Sequence, residues 1–215
     1  MGCVLFSRPD HDVNLGYLFY YSKELVKLAE DLNHDSIDKQ RKNASKKIIL
    51  SVIEKKKPSL IIFNGHGSPS SICGHRNEEI ISVEENPEDL KGSIVYSLSC
   101  SSALLLGPIA VDEGALSFIG YRFDFALGKD PNSEAAPRKD KIAKLFLEPS
   151  NILVKFLLNG NTVYKSVETA RKKMKENVDY LSVTNDFPEA SHYAPFLYGN
   201  YLGLIAHGDK ETSFS

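Results

Sequence analysis

Two segments of the chain share one design. Residues 59–67 read SLIIFNGHG and residues 93–102 read SIVYSLSCSS, so each is an apolar, β-branched run that stops abruptly at a reactive side chain among small ones. Runs this apolar leave no face for water, and a chain that carries them must bury both inside a sheet covered on its two sides. Each strand then delivers one reactive group at its C-terminal tip: His66 from the first and Cys100 from the second. A histidine beside a cysteine makes a nucleophile, and no other pair in the sequence supplies nucleophile, base and a geometric reason for them to meet.

The rest of the chain reads as strands alternating with helices. Residues 3–7 (CVLFS) predict a first strand, followed by a polar loop over 8–12 in which function can sit. Leu18, Leu25, Val26 and Leu28 recur at helical spacing within 16–32, and Ile48, Ile49, Val52 and Ile53 form a stripe over 44–57 that Pro58 closes. A strand over 60–64 leads into a loop rich in Gly, Ser and Pro, then two short runs, 72–74 and 79–83, that pair as a hairpin flap. A strand over 94–98 precedes a predicted helix over 103–112, stopped by Gly114, and a strand over 116–121 follows. Residues 129–140 read as an exposed, cleavable loop; helices over 141–158 and 163–180 come next, and residues 196–206 return as a strand. The expected fold is a single α/β domain over residues 1–215, a three-layer α/β/α sandwich with a mostly parallel sheet of about six strands.

At 215 residues, with a formal charge of −2, the chain has no basic field for a phosphate backbone, and its lysine clusters (46–47, 55–57, 172–173) fall on predicted helix surfaces. Nucleic acid is therefore not an expected partner. No apolar run approaches the ~18 to 20 residues of a membrane span, and the MGC start lacks the hydroxyl residue of a myristoylation signal because Phe6 stands there. No membrane is expected. Three cysteines cannot all pair with one another, so a reducing, cytoplasmic setting is the expectation.

In open α/β sheets ligands bind beyond the C-terminal ends of the strands, where His66 and Cys100 both lie. If their strands are neighbours they run about 4.8 Å apart, close enough for the two side chains to meet across a substrate. The helix predicted after Cys100 would favour thiolate over thiol, and the imidazole of His66 ordinarily titrates near neutral pH. Gly65, Gly67, Ser101 and Ser102 keep bulk away, so main-chain N–H groups can approach an oxyanion. One competing reading makes Cys100 a buried structural cysteine. Another gathers His66, Cys73, His75 and Cys100 around zinc, but their spacings match no compact zinc motif, so no metal is expected and Cys73 and His75 are read as flap residues. His11 and His192 carry no motif.

The pattern of an apolar block, His-Gly, a spacer and a second apolar block ending in a small residue and Cys resembles the caspase-like (clan CD) cysteine peptidases, at residues 61–67 and 94–100. GALSFIGYRF and LYGNYLGLI are similar to later strands of the CHAT, separase and gingipain-type branches. The resemblance implies a catalytic dyad of His66 and Cys100, with main-chain N–H groups of Gly67 and Cys100 as oxyanion donors and Gly65 and Ser99 lining the substrate site. It implies an endopeptidase acting on protein or peptide through an acyl-enzyme, with no cofactor. Asp124 stands where an acidic residue would accept Arg or Lys before the scissile bond, helped by Asp10 and Asp12; Arg8 argues instead for cleavage after Asp. A basic preference would make Arg138, Lys139 and Lys141 a self-cleavage segment. A catalytically silent adaptor that binds a partner through the same groove is the alternative. Relatives are often regulated by fused domains, so any regulator here is expected to be another chain or a small molecule.

Overall fold

The computed structural model of the chain describes residues 2–186 and 190–214. Five strands, β1 (Cys3–Arg8), β2 (Asp35–Gln40), β3 (Leu60–Asn64), then β7 (Ile94–Leu98) and β8 (Ser117–Tyr121), run parallel, and β9 (Leu204–Gly208) closes the sheet antiparallel to β8. The spatial order is β2-β1-β3-β7-β8-β9. Between β3 and β7 the flap forms a small separate sheet of β4 (Gly67–Ser68), β5 (Ser71–Cys73) and β6 (Glu79–Ser82).

Side chains of the central strands alternate between two cores, which is why their sequences show no polar period. Val4, Phe6, Leu60, Ile62, Tyr96, Leu98, Ile119 and Tyr121 face one cluster, under α1 (Val13–Asp31), α4 (Lys141–Leu158), α5 (Val163–Val183) and α6 (Ala190–Gly203). Leu5, Ile61, Phe63, Val95 and Phe118 face the other, under α2 (Lys46–Lys56) and α3 (Leu106–Asp112). Each fully buried side chain of this kind contributes about 1.5–3 kcal/mol, so sliding a strand by one residue, which exchanges the two faces, is prohibitive. The three-layer sandwich and its mostly parallel, six-stranded sheet agree with expectation. Among the described residues no helix is long and apolar enough to cross a membrane.

Three elements differ from the sequence reading. β2 (DSIDKQ) has no apolar run because it is an edge strand whose charged side chains meet water, and Ile37 is its one large apolar residue. Of the strand expected over 196–206 only 204–206 form part of β9: α6 runs to Gly203 and buries Ala190, Ala194, Leu197, Asn200 and Gly203, a spacing of three to four that outweighs the strand preference of its aromatic residues. α3 begins at Leu106, and Ser99–Leu105 is a turn.

Arg8 pins the C-terminal end of β1. It is 2% exposed; Nε and Nη2 donate to the two carboxylate oxygens of Asp38 at 2.8 Å each, Nη1 donates to Phe19 O at 2.7 Å, and the guanidinium lies 4.6 Å from the Phe19 ring centre. Three elements, β1, β2 and α1, are thus joined by one side chain. Arg8→Ala should lower stability by about 3 kcal/mol in urea unfolding, because it strands the Asp38 carboxylate, and Arg8→Lys should recover less than half of that, because an ammonium lacks the planar fork. An unchanged midpoint for Arg8→Ala would refute this role.

Candidate active site

β3 and β7 pair with Asn64 beside Leu98, and Gly65 N–H still bonds to Leu98 O at 3.3 Å. Two residues beyond that last pair, His66 and Cys100 lie level with one another at the C-terminal edge of the sheet. The neighbouring loop, between β1 and α1, brings Asp12. As N-cap of α1 it accepts the Leu15 N–H on Oδ1 at 2.9 Å, and on Oδ2 it accepts the Nε2–H of His66 at 2.6 Å. Burial pushes the Asp12 carboxyl up, but the Leu15 N–H and His66 outweigh it, so the group lies below the usual carboxylate range and stays ionised. A carboxylate on Nε2–H leaves Nδ1 of the neutral ring with the lone pair, so Nδ1 is the nitrogen that can accept a proton. The sequence reading placed Asp12 in a substrate pocket; it is instead the partner of the histidine.

Glycine is required on both sides of His66. A Cβ on Gly65 would lie 2.2 Å from Cys73 O, and one on Gly67 would lie 2.8 Å from Ser99 Oγ and 3.0 Å from Cys100 O. The Cys73 N–H bonds to His66 O at 2.9 Å, so in the alternation of an antiparallel ladder the next pair, Gly67 and Ile72, is a non-hydrogen-bonded one. The Gly67 N–H therefore points away from β5.

The Cys100 turn is held from behind. Ser99 is buried, and its hydroxyl meets Ser97 Oγ at 2.6 Å and Ser102 Oγ at 2.9 Å, so Ser99 supports the turn rather than lining a substrate site. Ser101 takes the left-handed conformation (φ 54°), donates its N–H to Phe123 O at 3.1 Å and donates its hydroxyl to Asp124 Oδ1 at 2.7 Å. Asp124 is exposed, in the loop after β8, beside the thiol. Burial pushes the Cys100 thiol up, the Phe125 N–H partly offsets this, and the Asp124 carboxylate pushes it further. The helix expected to lower it begins at Leu106, six residues beyond Cys100, so Cys100 rests as a thiol.

The loop with Asp124 is clamped by a residue that the sequence did not signal. Buried Asn200 of α6 accepts the Ala126 N–H at 2.9 Å and donates to Ala126 O at 2.8 Å, and the Arg122 N–H bonds to Gly203 O at 2.9 Å. A carboxylate at position 200 could accept but not donate.

Two further candidates fall outside the site. Arg8 is consumed by Asp38 and Phe19, and Asp10 is paired with Arg41 at 2.9 Å; of the exposed carboxylates Asp12 is engaged by His66, which leaves Asp124, whose charge acts on the Cys100 thiol. Arg138 and Lys139 are exposed, but Pro137–Lys139 is a tight 3₁₀ turn next to Asp140, whose carboxylate caps α4 through the N–H groups of Ile142 and Ala143 and accepts the Tyr17 hydroxyl at 2.8 Å. With Lys141 already the first residue of α4, this segment is anchored rather than free. Among the described residues, the set of side chains close enough to share a metal is His11, Asp12 and His66, and the grouping of His66 with Cys73, His75 and Cys100 does not assemble.

No protein-family model and no curated protein matches the chain. Solved structures share its fold, among them two of gingipain R. One is the Arg-specific cysteine proteinase gingipain R (RgpB), 13% identical with a TM-score of 0.60, covering 99% of this chain and 47% of that one. The other is the complex of the Porphyromonas gingivalis RgpB pro- and mature domains, 10% identical with a TM-score of 0.63, covering 99% and 48%. The chain spans about half the length of either. At such identities the likeness establishes the fold, a caspase-like α/β/α sandwich, and no more.

Because the thiol is held up by burial and by Asp124, iodoacetamide should alkylate Cys100 more slowly at neutral pH than an unperturbed thiol, with a rate that keeps rising beyond the pH at which a free cysteine peptide levels off. Asp124→Asn should shift that profile to lower pH. Mass spectrometry of the labelled peptide reads both, and faster than ordinary alkylation at pH 7 would contradict the assignment.

Proposed function

We propose that the chain is a cysteine peptidase that hydrolyses peptide bonds on the C-terminal side of Arg or Lys. The observation that carries this reading is the pairing of β3 with β7, which sets an imidazole with a defined base nitrogen level with a cysteine, on a fold shared with a cysteine proteinase. With substrate bound, Cys100 Sγ attacks the scissile carbonyl while its proton passes to His66 Nδ1, so a thiol that rests protonated is ionised only as it reacts. The main-chain N–H groups of Gly67 and Cys100 receive the oxyanion. Collapse breaks the C–N bond, His66 returns the proton to the departing amine, and a thioester remains; His66 then deprotonates water, which releases the acid and regenerates the thiol. Asp12 holds the ring and stabilises the imidazolium in both halves. Gly65 supports the turn by its lack of a side chain.

Asp124 supports a cationic side chain before the scissile bond, since its carboxylate is exposed, beside the nucleophile, and fixed by Ser101 and by the Asn200 clamp. The Arg-specific gingipain R that shares the fold supports the same choice, and the complex of its pro- and mature domains supports regulation by a separate segment or chain.

A peptide-library assay tests this. Wild type should cleave after Arg or Lys; Cys100→Ala should abolish cleavage, and His66→Ala should cost ~10²–10⁴-fold in kcat/KM. Asp12→Asn should lower kcat by about tenfold or more with KM little changed, whereas Asp124→Asn should raise KM for basic substrates by about tenfold and flatten the preference. A small guanidinium compound seated against Asp124 should speed Cys100 alkylation. Cleavage that survives Cys100→Ala, or a preference for Asp, would sink the reading.

A further inference from the structure

His11, Asp12 and His66 approach from two loops and converge on one point. Oδ2 of Asp12 lies 2.6 Å from Nε2 of His66 and 3.9 Å from Nε2 of His11, and one ligand atom from each of the three residues falls within 4.8 Å of the others. Two imidazoles and a carboxylate are a donor set for Zn²⁺, and an ion at about 2.0–2.2 Å from each is accommodated once Asp12 and His66 draw apart from their present hydrogen bond. His75 borders this cluster. The ring of His75 sits edge-on to His11 with centres 5.4 Å apart, and its Nδ1 is buried without a hydrogen-bond partner.

The cost of using His11 can be read from its bonds. Its Nε2 meets Asn77 Oδ1 at 3.0 Å, and its Nδ1 accepts the Arg76 N–H at 3.2 Å, which places the ring proton on Nε2. Ligation through Nε2 needs that proton on Nδ1, so the loop at Arg76 and Asn77 must move. Both residues lie in the left-handed region, at φ 58° and 61°, which non-glycine side chains hold at a cost, so movement also relieves strain.

We propose that His11 Nε2, Asp12 Oδ2 and His66 Nε2 bind one Zn²⁺ ion, with water in the fourth position, and that this ion switches the peptidase site off. The second half rests on the reading given above. Zinc on Nε2 displaces the proton from that nitrogen, leaving the neutral ring protonated on Nδ1. Nδ1 can then no longer accept the Cys100 proton, and Asp12 is withdrawn from its partner. His11 plays no part in the hydrolysis, so its loss should free the enzyme from zinc without slowing it.

Calorimetric titration of ZnCl₂ into EDTA-stripped, full-length protein tests the site without reference to activity. Wild type and Cys100→Ala should each bind one ion with equal affinity, and His11→Ala should bind at least about 30-fold more weakly, since losing even a group that only supports a metal ligand costs about 10–100-fold. His11→Asn, which keeps a polar side chain, should match His11→Ala. In the peptidase assay wild type should be inhibited by zinc and restored by EDTA, while His11→Ala keeps nearly full activity at the zinc concentration that half-inhibits wild type and reaches half-inhibition only at a concentration raised by the same factor. Absence of saturable binding, equal binding by His11→Ala, or loss of binding in Cys100→Ala would overturn the site. Saturable binding by a chain without Cys100-dependent cleavage would uphold the site and overturn the switch, and cleavage unaffected by bound zinc would do the same.

Discussion

The register of β3 against β7 is the constraint on which the site depends. Both strands are buried on two faces, so their apolar side chains admit one alignment, with Leu60 beside Ile94 and Asn64 beside Leu98. In that alignment His66 and Cys100 lie the same distance past their strand ends. A slip of one residue would exchange both cores and turn one reactive side chain away from the other. The backbone approach at Gly67 reinforces the choice, since any side chain there would collide with the Ser99–Cys100 turn. Folding energy and site geometry are therefore fixed by the same contacts.

What was legible in the chain follows from how local each signal is. The strands ending in His66 and Cys100 were readable because strands buried on both faces write continuous apolar runs. β2 was not, because an edge strand needs charged side chains for protection and so looks like a loop. α6 was misread because its aromatic residues favour a strand, while its buried positions follow a helical spacing dictated by what it packs on. The partner of His66 lies beyond any local signal. Asp12 reaches His66 because β1 adjoins β3, with Ser7 beside Phe63, so the loops after the two strands lie side by side, and strand order is a property of the whole sheet.

The same reasoning sorts four charged residues that composition treats alike. Arg8 and Asp10 are spent on structure, one in a buried fork with Asp38 and the other against Arg41. Asp12 divides its two oxygens between the first turn of α1 and the imidazole, so helix capping and ring orientation come from one side chain. Asp124 remains, and its position has a cost: a carboxylate beside a half-buried thiol opposes the thiolate.

That opposition couples specificity to reactivity. Without substrate, burial and Asp124 both favour the neutral thiol, which protects it from oxidation and from random alkylation. A cationic side chain placed against Asp124 neutralises the carboxylate field, and with it one of the two influences holding the thiol protonated. In the peptidase proposed above, substrates of the right charge would then lower the cost of ionising Cys100 as His66 takes its proton, whereas neutral or acidic substrates would leave that cost in place. Under that reading, a carboxylate whose charge acts on the thiol would discriminate in the chemical step as well as in binding, which is where discrimination raises kcat/KM most effectively.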